Sequence, residues 1–467
     1  MRRPIDDDSL PAKVDCLIVG GGPAGAALAG LLARSGHMVL VVDDGALRTG
    51  SPLETLMASA LQSLDRCGLG EIVRATAEVD RRRHGARWDA DEVAWRDEGR
   101  SGLCLRRGVF DDGLRDWAVK CGARVLRPAT AVELPDGGQG SARIRVAGRD
   151  LFIEANTIAI ATGRRSVAVL ASAEIVEQGP PTAAFAFQIE AESETGAVAM
   201  VTAAPDGWCW WIGDERGGAR LVATVDADTL GEPLRAVVDR VLEYAGSAFG
   251  GRRAAVLETA VRATSRRATT PRGYWLVGDA AATLDPLASQ GTEKALVGAE
   301  SAALGIRTAL ANPALRGLAI AQHRRWEHEL YQAHARTTAA FYSRVGRFAE
   351  RPFWARRSQL PPSPNFGALP HRLVRAPDLL EGPMLVRHTE ELVLTPGFAR
   401  LAAEPIARIG RVTVAPLLAA FARPRSVADG LAIAGQDPRL FVMGSAVVRA
   451  AVVELWRAGL LIAPQID

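Results

Sequence analysis

The sequence predicts an α/β protein: a Rossmann-type dinucleotide-binding domain, an antiparallel sheet inserted into it, and a small C-terminal α/β domain. Three observations predict this. An apolar run at residues 14–19 ends in glycines spaced as G-x-G-x-x-G. A second apolar run, at 39–42, ends in Asp43 and closes a β-α-β unit of about 30 residues. The buried-strand pattern returns at 274–277 and again runs into a glycine–acid pair, Gly278-Asp279.

Composition sets the limits. The chain has 467 residues, enough for two or three domains; 48% are hydrophobic and 23% charged, as in a soluble globular protein. The formal net charge of +3 demands no nucleic-acid partner. Almost every basic residue is arginine, with lysine only at Lys13, Lys120 and Lys294. Five scattered cysteines show neither CxxC spacing nor a Cys/His cluster, so reduced thiols in a cytoplasmic protein and no metal site are expected. Residues 1–8 do not read as a signal peptide, because an acidic run follows Arg2-Arg3 directly. Residues 16–33 carry no charge over a length that could span a bilayer on paper (roughly 18 residues or more). Their glycines and Pro23 fit a strand, a tight turn and a buried helix better, and no membrane insertion is expected.

Taken in order, 14–19 reads as a buried strand, 24–35 as a helix closed by Gly36, and 39–42 as the second strand. Residues 53–67 predict an amphipathic helix, and 74–102 are charged and irregular. A helix at 110–121 leads to a strand at 124–126, a hairpin at 142–146 and 151–154, and a buried strand at 157–161. From about 182 the pattern changes to antiparallel strands at 197–203, 208–212 and 219–225, a sheet expected to cover the active site. Helices follow at 292–310 and 321–349, and the prolines of 351–383 suggest a linker. The domains expected are 1–180 with 259–315 for the dinucleotide, 181–258 for the substrate sheet, 316–383 as helices and linker, and 384–467 as the C-terminal domain.

Within Gly20-Gly21-Gly22-Pro23-Ala24-Gly25, Gly20 permits the turn, Gly22 admits the pyrophosphate and Gly25 lets helix and strand pack; Pro23 and Ala24 open the helix whose positive end faces the phosphates. Asp43, 18 residues beyond Gly25, is placed to accept the ribose hydroxyls.

Leu276-Val277-Gly278-Asp279-Ala280-Ala281 with Asp285-Pro286-Leu287-Ala288-Ser289-Gln290-Gly291 resembles the GD motif of the group A flavoprotein monooxygenase and flavin-dependent halogenase superfamily, and Arg107-Gly108-Val109-Phe110-Asp111-Asp112-Gly113-Leu114 matches that family's R-x-x-F-D-x-x-L. The resemblance covers roughly residues 14 to 310. It implies a glutathione reductase-like fold with FAD as cofactor, Asp279 on the ribitol chain, and Gly278, Pro286, Gly291 and Thr292 around the flavin. The helix starting near Gly291 would then aim its N-terminus at the flavin pyrimidine. Arg107 would sit near the FAD, while Phe110 and Leu114 suit packing. Glu54-Thr55-Leu56 falls where relatives carry Gly-Glu-Ser-Leu, with Leu53 in place of the glycine.

Trp208-Cys209-Trp210-Trp211-Ile212 resembles the halogenases' W-x-W-x-I signature, with Gly213 where they have proline, and residues 342–357 are also similar to that branch. Three departures point away from halogenation: none of the three lysines lies shortly after the Glu54 region, where the halogenase lysine does, Ala288 stands for the halogenase glutamate, and Gln290 for its threonine. The resemblance therefore implies hydroxylation by a flavin hydroperoxide, with O2 as oxidant and electrons from NAD(P)H directly or through a flavin reductase; Ala161-Thr162-Gly163-Arg164-Arg165 lacks the Asp-Gly motif of enzymes that take NAD(P)H themselves. Trp208, Trp210 and Trp211 are candidates for lining the substrate cavity beside Glu54, and core packing is an equal reading. Alternation puts Trp208 and Trp210 on one face and Trp211 on the other. No general base stands out: Glu293 and Lys294 begin the helix that would face the flavin, and surface positions explain them equally well.

Residues 391–397, 426–431 and 447–459 resemble the small winged-helix modules that bind peptides alongside peptide-modifying enzymes. That combination is similar to the branch that hydroxylates a tryptophan of a small protein subunit during tryptophylquinone formation. A halogenase, a small-molecule aromatic hydroxylase, a geranylgeranyl-reductase-like lipid reductase and a non-catalytic flavoprotein chaperone are the alternatives.

Overall fold

The computed structural model describes residues 10–46, 53–76, 79–80, 83–96, 102–164, 175–190, 198–213, 218–228, 232–249, 252–256, 261–268, 273–288, 290–358, 369–400 and 405–464. Five strands form a parallel layer in the order Arg124–Leu126, Val39–Val42, Lys13–Val19, Arg149–Ile160, Trp275–Leu276. All of Val39–Val42 is buried, as expected for a parallel strand covered on both faces. Helix Pro23–Arg34 follows the first strand with Ala24 through Ala33 all buried, so the uncharged stretch is a strand and a core helix. Among the described residues no helix is long and apolar enough to cross a membrane. The first half of Arg149–Ile160 turns to antiparallel pairing with Gly140–Val146, which pairs with Ala129–Glu133.

Among the described residues the second sheet has nine strands. Val198–Ala204, Gly207–Gly213, Gly218–Asp226 and Ile175–Glu190 form its antiparallel centre. It is wider than the sequence predicts. Residues 74–102, whose charge suggests irregular chain, contribute Arg83–Arg87 and Ala94–Arg96, the former pairing in parallel with Val198–Ala204. Such pairing between distant segments leaves no local signal. Val261–Ala268 and Ala282–Thr283, expected in the dinucleotide domain, also join this sheet. The amphipathic helix expected over 53–67 is likewise corrected: Leu53–Leu56 is a strand paired with Leu103–Arg106, and the helix is Ala58–Arg66.

Helix Leu234–Phe249 covers one face of the nine-stranded sheet, where Val237, Val238, Val241 and Ala245 pack on Met200, Cys209, Trp211 and Leu221. The opposite face carries an aromatic cluster. Two residues of that cluster, Phe353 and Trp354, belong to helix Pro352–Arg357 inside the proline-rich stretch read as a linker. Their burial is invisible to a count of prolines.

The chain forms two compact units, Met1–Leu310 with His323–Pro361, and Ala311–Gln322 with Pro362–Asp467. The second unit has its own core of Leu373, Leu417, Phe421, Val452 and Leu455. In it helices Val414–Ala420, Val427–Ala434 and Ser445–Arg457 accompany an antiparallel sheet of Arg425–Ser426, Arg372–Arg375 and Leu461–Ile462, a small α/β arrangement. The Ser426 hydroxyl caps the middle helix by accepting from the Asp429 amide at 3.1 Å.

Candidate active site

The loops that leave the carboxyl ends of the parallel strands converge, as at the ligand crevice of open α/β sheets. Gly20 has φ +106°, and a Cβ there would lie 2.5 Å from the Ala161 carbonyl oxygen. A Cβ on Gly25 would lie 1.9 Å from the Gly20 carbonyl, whereas one on Gly22 would meet nothing within 4 Å. Two glycines therefore close the turn and the third keeps its approach open. Gly22 caps helix Pro23–Arg34 with no side chain over the cap and no acid in the first turn, leaving the positive helix end to an anion.

Asp43 braces this turn. Its carboxylate accepts from the Gly21 amide at 2.7 Å, from the Gly45 amide at 3.0 Å and from Arg127 Nε at 2.7 Å. A carboxylate offers about four acceptor sites, so capacity for a ribose hydroxyl remains. Arg115, which sequence reasoning missed, donates to the Gly21 carbonyl at 2.8 Å. It directly follows Leu114 of the R-x-x-F-D-x-x-L stretch, which was the available signal.

Arg107 opens helix Arg107–Lys120, whose Phe110, Leu114 and Ala118 are buried, as packing requires. Its guanidinium grips the Asp111 carboxylate with Nε at 2.9 Å and Nη2 at 3.1 Å, and reaches Glu54 with Nη1 at 2.8 Å. Burial opposes its charge, but the Glu54 and Asp111 carboxylates outweigh burial and hold it firmly protonated. Glu54 Oε2 accepts from the hydroxyl of Thr292 in the first turn of helix Gly291–Ala311. Glu54 thus ties Arg107 to the start of that helix.

The second glycine turn packs on the first. Gly278 has φ +67°, and a Cβ there would lie 2.8 Å from that of Ala24. The Asp279 carboxylate is part-exposed and 3.9 Å from Arg164 Nε. Lys294, for which a surface position suits the sequence, is fully buried: its Nζ donates to the Gly278 carbonyl at 2.7 Å and lies 3.1 Å from Glu327 Oε2. Glu293 is part-buried, and burial pushes its carboxyl up. Asp285, before Pro286, accepts from the Leu287 amide at 2.9 Å and the Tyr342 hydroxyl at 3.2 Å, and burial pushes its carboxyl up. Ser289 and the Ala288 side chain lie outside the described residues.

The three tryptophans separate by face. Trp208 is buried and donates its Nε1–H to the Tyr342 hydroxyl at 3.2 Å. Around it lie Trp88, Tyr342, Phe353 and Trp354, with Trp210 half-buried beside them and Leu287 packed against the group. Both halogenase-like stretches therefore meet in one aromatic cluster. Trp211 points the other way, into the core under helix Leu234–Phe249, and cannot line the same cavity.

The residues fit an FAD. The first turn is open above a helix end, Asp279 is accessible beside it, and Thr162 Oγ1 is buried at the same strand ends with no hydrogen-bond partner among the described residues. The FAD binding domain family model matches residues 13–241. Over 376 residues the chain is 27% identical to a tryptophan 2-halogenase of Chondromyces crocatus, covering 74% of this chain and 70% of the halogenase. A stretch of 134 residues, 27% of the chain, is 35% identical to a menaquinone reductase of Mycobacterium tuberculosis (strain CDC 1551 / Oshkosh) and covers 31% of it. Among solved structures, the fold is similar to QhpG, a peptidyl tryptophan dihydroxylase essential for tryptophylquinone cofactor biogenesis, with TM-score 0.68 and 23% identity over 96% of this chain and 99% of that one. It is also similar to the flavin-dependent halogenase CmlS, with TM-score 0.74 and 18% identity over 97% and 98% of the two chains. The chain is an FAD-dependent oxidoreductase whose residues 13–241 match the FAD binding domain family and whose fold is the one seen in flavin-dependent monooxygenases and halogenases.

Proposed function

We propose that this protein is a monooxygenase that hydroxylates an aromatic ring, a tryptophan side chain of a peptide or small protein subunit, as a step in making a tryptophylquinone. One observation carries the choice of hydroxylation over halogenation. The superfamily's halogenases use a lysine to carry hypohalous acid, and the chain has only three lysines. Lys294 is spent on the Gly278 carbonyl and Glu327, while Lys13 begins the first strand and Lys120 ends a helix. The fold shared with a peptidyl tryptophan dihydroxylase supports the substrate class, and the winged-helix-like unit suits recognition of a peptide outside the reacting side chain.

Reduced FAD supplies the chemistry of O2 activation, its electrons coming from NAD(P)H directly or by way of a flavin reductase. The chain's residues hold and shield. Gly20, Gly22, Gly25, the first turn of helix Pro23–Arg34 and Asp43 bind the ADP half. Asp279 holds the ribitol, while Arg107 and Glu54 fix the start of helix Gly291–Ala311, whose amides favour negative charge on the reduced ring. The apolar face around Trp208, Trp210 and Leu287 excludes water and offers stacking to an indole.

The test uses the holoprotein, reduced anaerobically and then exposed to oxygen with a tryptophan-containing peptide and chloride, with products read by mass spectrometry. A peptide that gains one or two oxygen atoms is the expected outcome. Chlorine in place of hydrogen would move the assignment to the tryptophan halogenases. Peroxide release with an unchanged peptide would overturn the substrate class.

A further inference from the structure

Beneath the second glycine turn lies a buried polar cluster that substrate chemistry does not use. Lys294 and Ser301 stand two turns apart on helix Gly291–Ala311, and His323 and Glu327 one turn apart on helix Arg316–Ser343, so each pair shares a helix face. All four are buried. Lys294 Nζ donates to the Gly278 carbonyl at 2.7 Å, and His323 Nε2 lies 2.8 Å from the Leu276 carbonyl. A carbonyl only accepts, so His323 carries its proton on Nε2, and Nδ1 accepts from the Ser301 hydroxyl at 3.1 Å. Glu327 is the counter-ion of Lys294 at 3.1 Å, without a hydrogen bond's alignment, since neither of its oxygens has a hydrogen-bond partner among the described residues.

A lysine is an expensive donor to bury, and the cost of desolvating it and Glu327 together is seldom recovered as stability. The cluster acts on something specific. Both carbonyls it holds belong to residues 276–278, which lead into Asp279. Helix Gly291–Ala311 is shaped to allow it: a Cβ on Gly298 would lie 3.0 Å from Glu327 Oε1 and 4.0 Å from the Gly278 amide nitrogen. We infer that Lys294, Glu327 and His323 are positioning residues for the cofactor. They lock the Leu276–Gly278 carbonyls to the two helices, and so set Asp279 and the start of helix Gly291–Ala311 at the spacing that FAD binding requires. This inference rests on the FAD site alone and is independent of the substrate.

The test separates positioning from folding. Lys294→Met alone strands a buried carboxylate, so the informative protein is the double variant Lys294→Met/Glu327→Met, which removes both charges at similar volume. It should melt, as apoprotein, at or above the wild-type temperature. Its FAD affinity, read by flavin fluorescence well below the melting temperature, should be weaker by roughly tenfold, the loss of one hydrogen bond from a charged donor. Wild-type melting together with wild-type FAD affinity would overturn the inference. If the double variant does not fold, His323→Phe keeps a ring of similar size while removing the hydrogen bond to Leu276. It should weaken FAD severalfold, and unchanged FAD affinity there would overturn the inference as well.

Discussion

The first glycine turn and the aromatic end of the nine-stranded sheet do opposite things with side chains. At the turn, Gly20 and Gly25 serve by having no Cβ, which would otherwise fall 2.5 Å and 1.9 Å from backbone oxygens. At the sheet, Trp88, Trp208, Tyr342, Phe353 and Trp354 serve by filling space. Six consecutive residues make the turn, whereas distant segments make the cluster. A site built from absences is compact in sequence and intolerant of any addition. One built from bulk is dispersed, and tolerates change in proportion to the volume lost.

The largest expected effect tests the intolerance. Gly25→Ala pushes a methyl into the Gly20 carbonyl and should yield protein from which no FAD co-purifies, read as the flavin-to-protein absorbance ratio after desalting. A Cβ at Gly22 meets no protein atom within 4 Å, so the apoprotein of Gly22→Ala should melt like wild type while FAD binding weakens. Tight FAD binding by Gly22→Ala would show that the open approach is not where the pyrophosphate lies.

At the aromatic end the loss should scale with volume. Trp354 is fully buried, donates to the Ala204 carbonyl at 2.9 Å and sits edge-on to Trp88 and Phe353. Trp354→Ala should cost about 3–5 kcal/mol in denaturant unfolding. Tyr342→Phe keeps the volume and removes one hydroxyl, which accepts from Trp208 and donates to Asp285. It should cost about 1–3 kcal/mol, the range for leaving a buried partner unsatisfied. An equal cost for both variants would mean that the polar chain, and not the packing, holds this end together.

The same contrast explains what was legible in the sequence. Glycine spacing, strand runs and the acid at Asp43 are local, and they placed the parallel layer and both turns. The alternation that put Trp208 and Trp210 on one face and Trp211 on the other is also local, and the structure separates them in that way. Missing from the reading were features made by meeting segments. Arg83–Arg87 joins the sheet by pairing with the distant Val198–Ala204, beside its own short hairpin with Ala94–Arg96. Phe353 and Trp354 look like linker until Trp88 covers them. Lys294 looks like a surface residue until Glu327 of another helix supplies its counter-ion. Charge and proline content mark exposure only where no partner arrives from elsewhere in the chain.

The smallest effect probes the polar support hidden under the second turn. Burial, together with Lys294, holds the His323 imidazole below its ordinary value of 6.5, against the pull of Glu327 and the Leu276 carbonyl. The unfolded chain therefore takes up a proton that the folded protein refuses. Stability from this group is fully present above about pH 6.5 and falls as the pH drops toward the folded value, with a slope approaching about 1.4 kcal/mol per pH unit. His334 is shifted the same way, while Asp285 and Glu293, raised by burial, contribute with the opposite sign. The quantity to measure is thus the difference between wild type and His323→Gln in denaturant midpoint from pH 5 to 7 (roughly the range in which an unfolded histidine titrates). The gap should narrow steadily as the pH falls, because the variant has no proton to refuse. A gap that widens as the pH falls would mean that His323 is protonated in the fold, with Nδ1 donating to Ser301, and that the turn is held by a cation on both sides; a constant gap would mean that folding leaves the affinity of the imidazole for its proton unchanged.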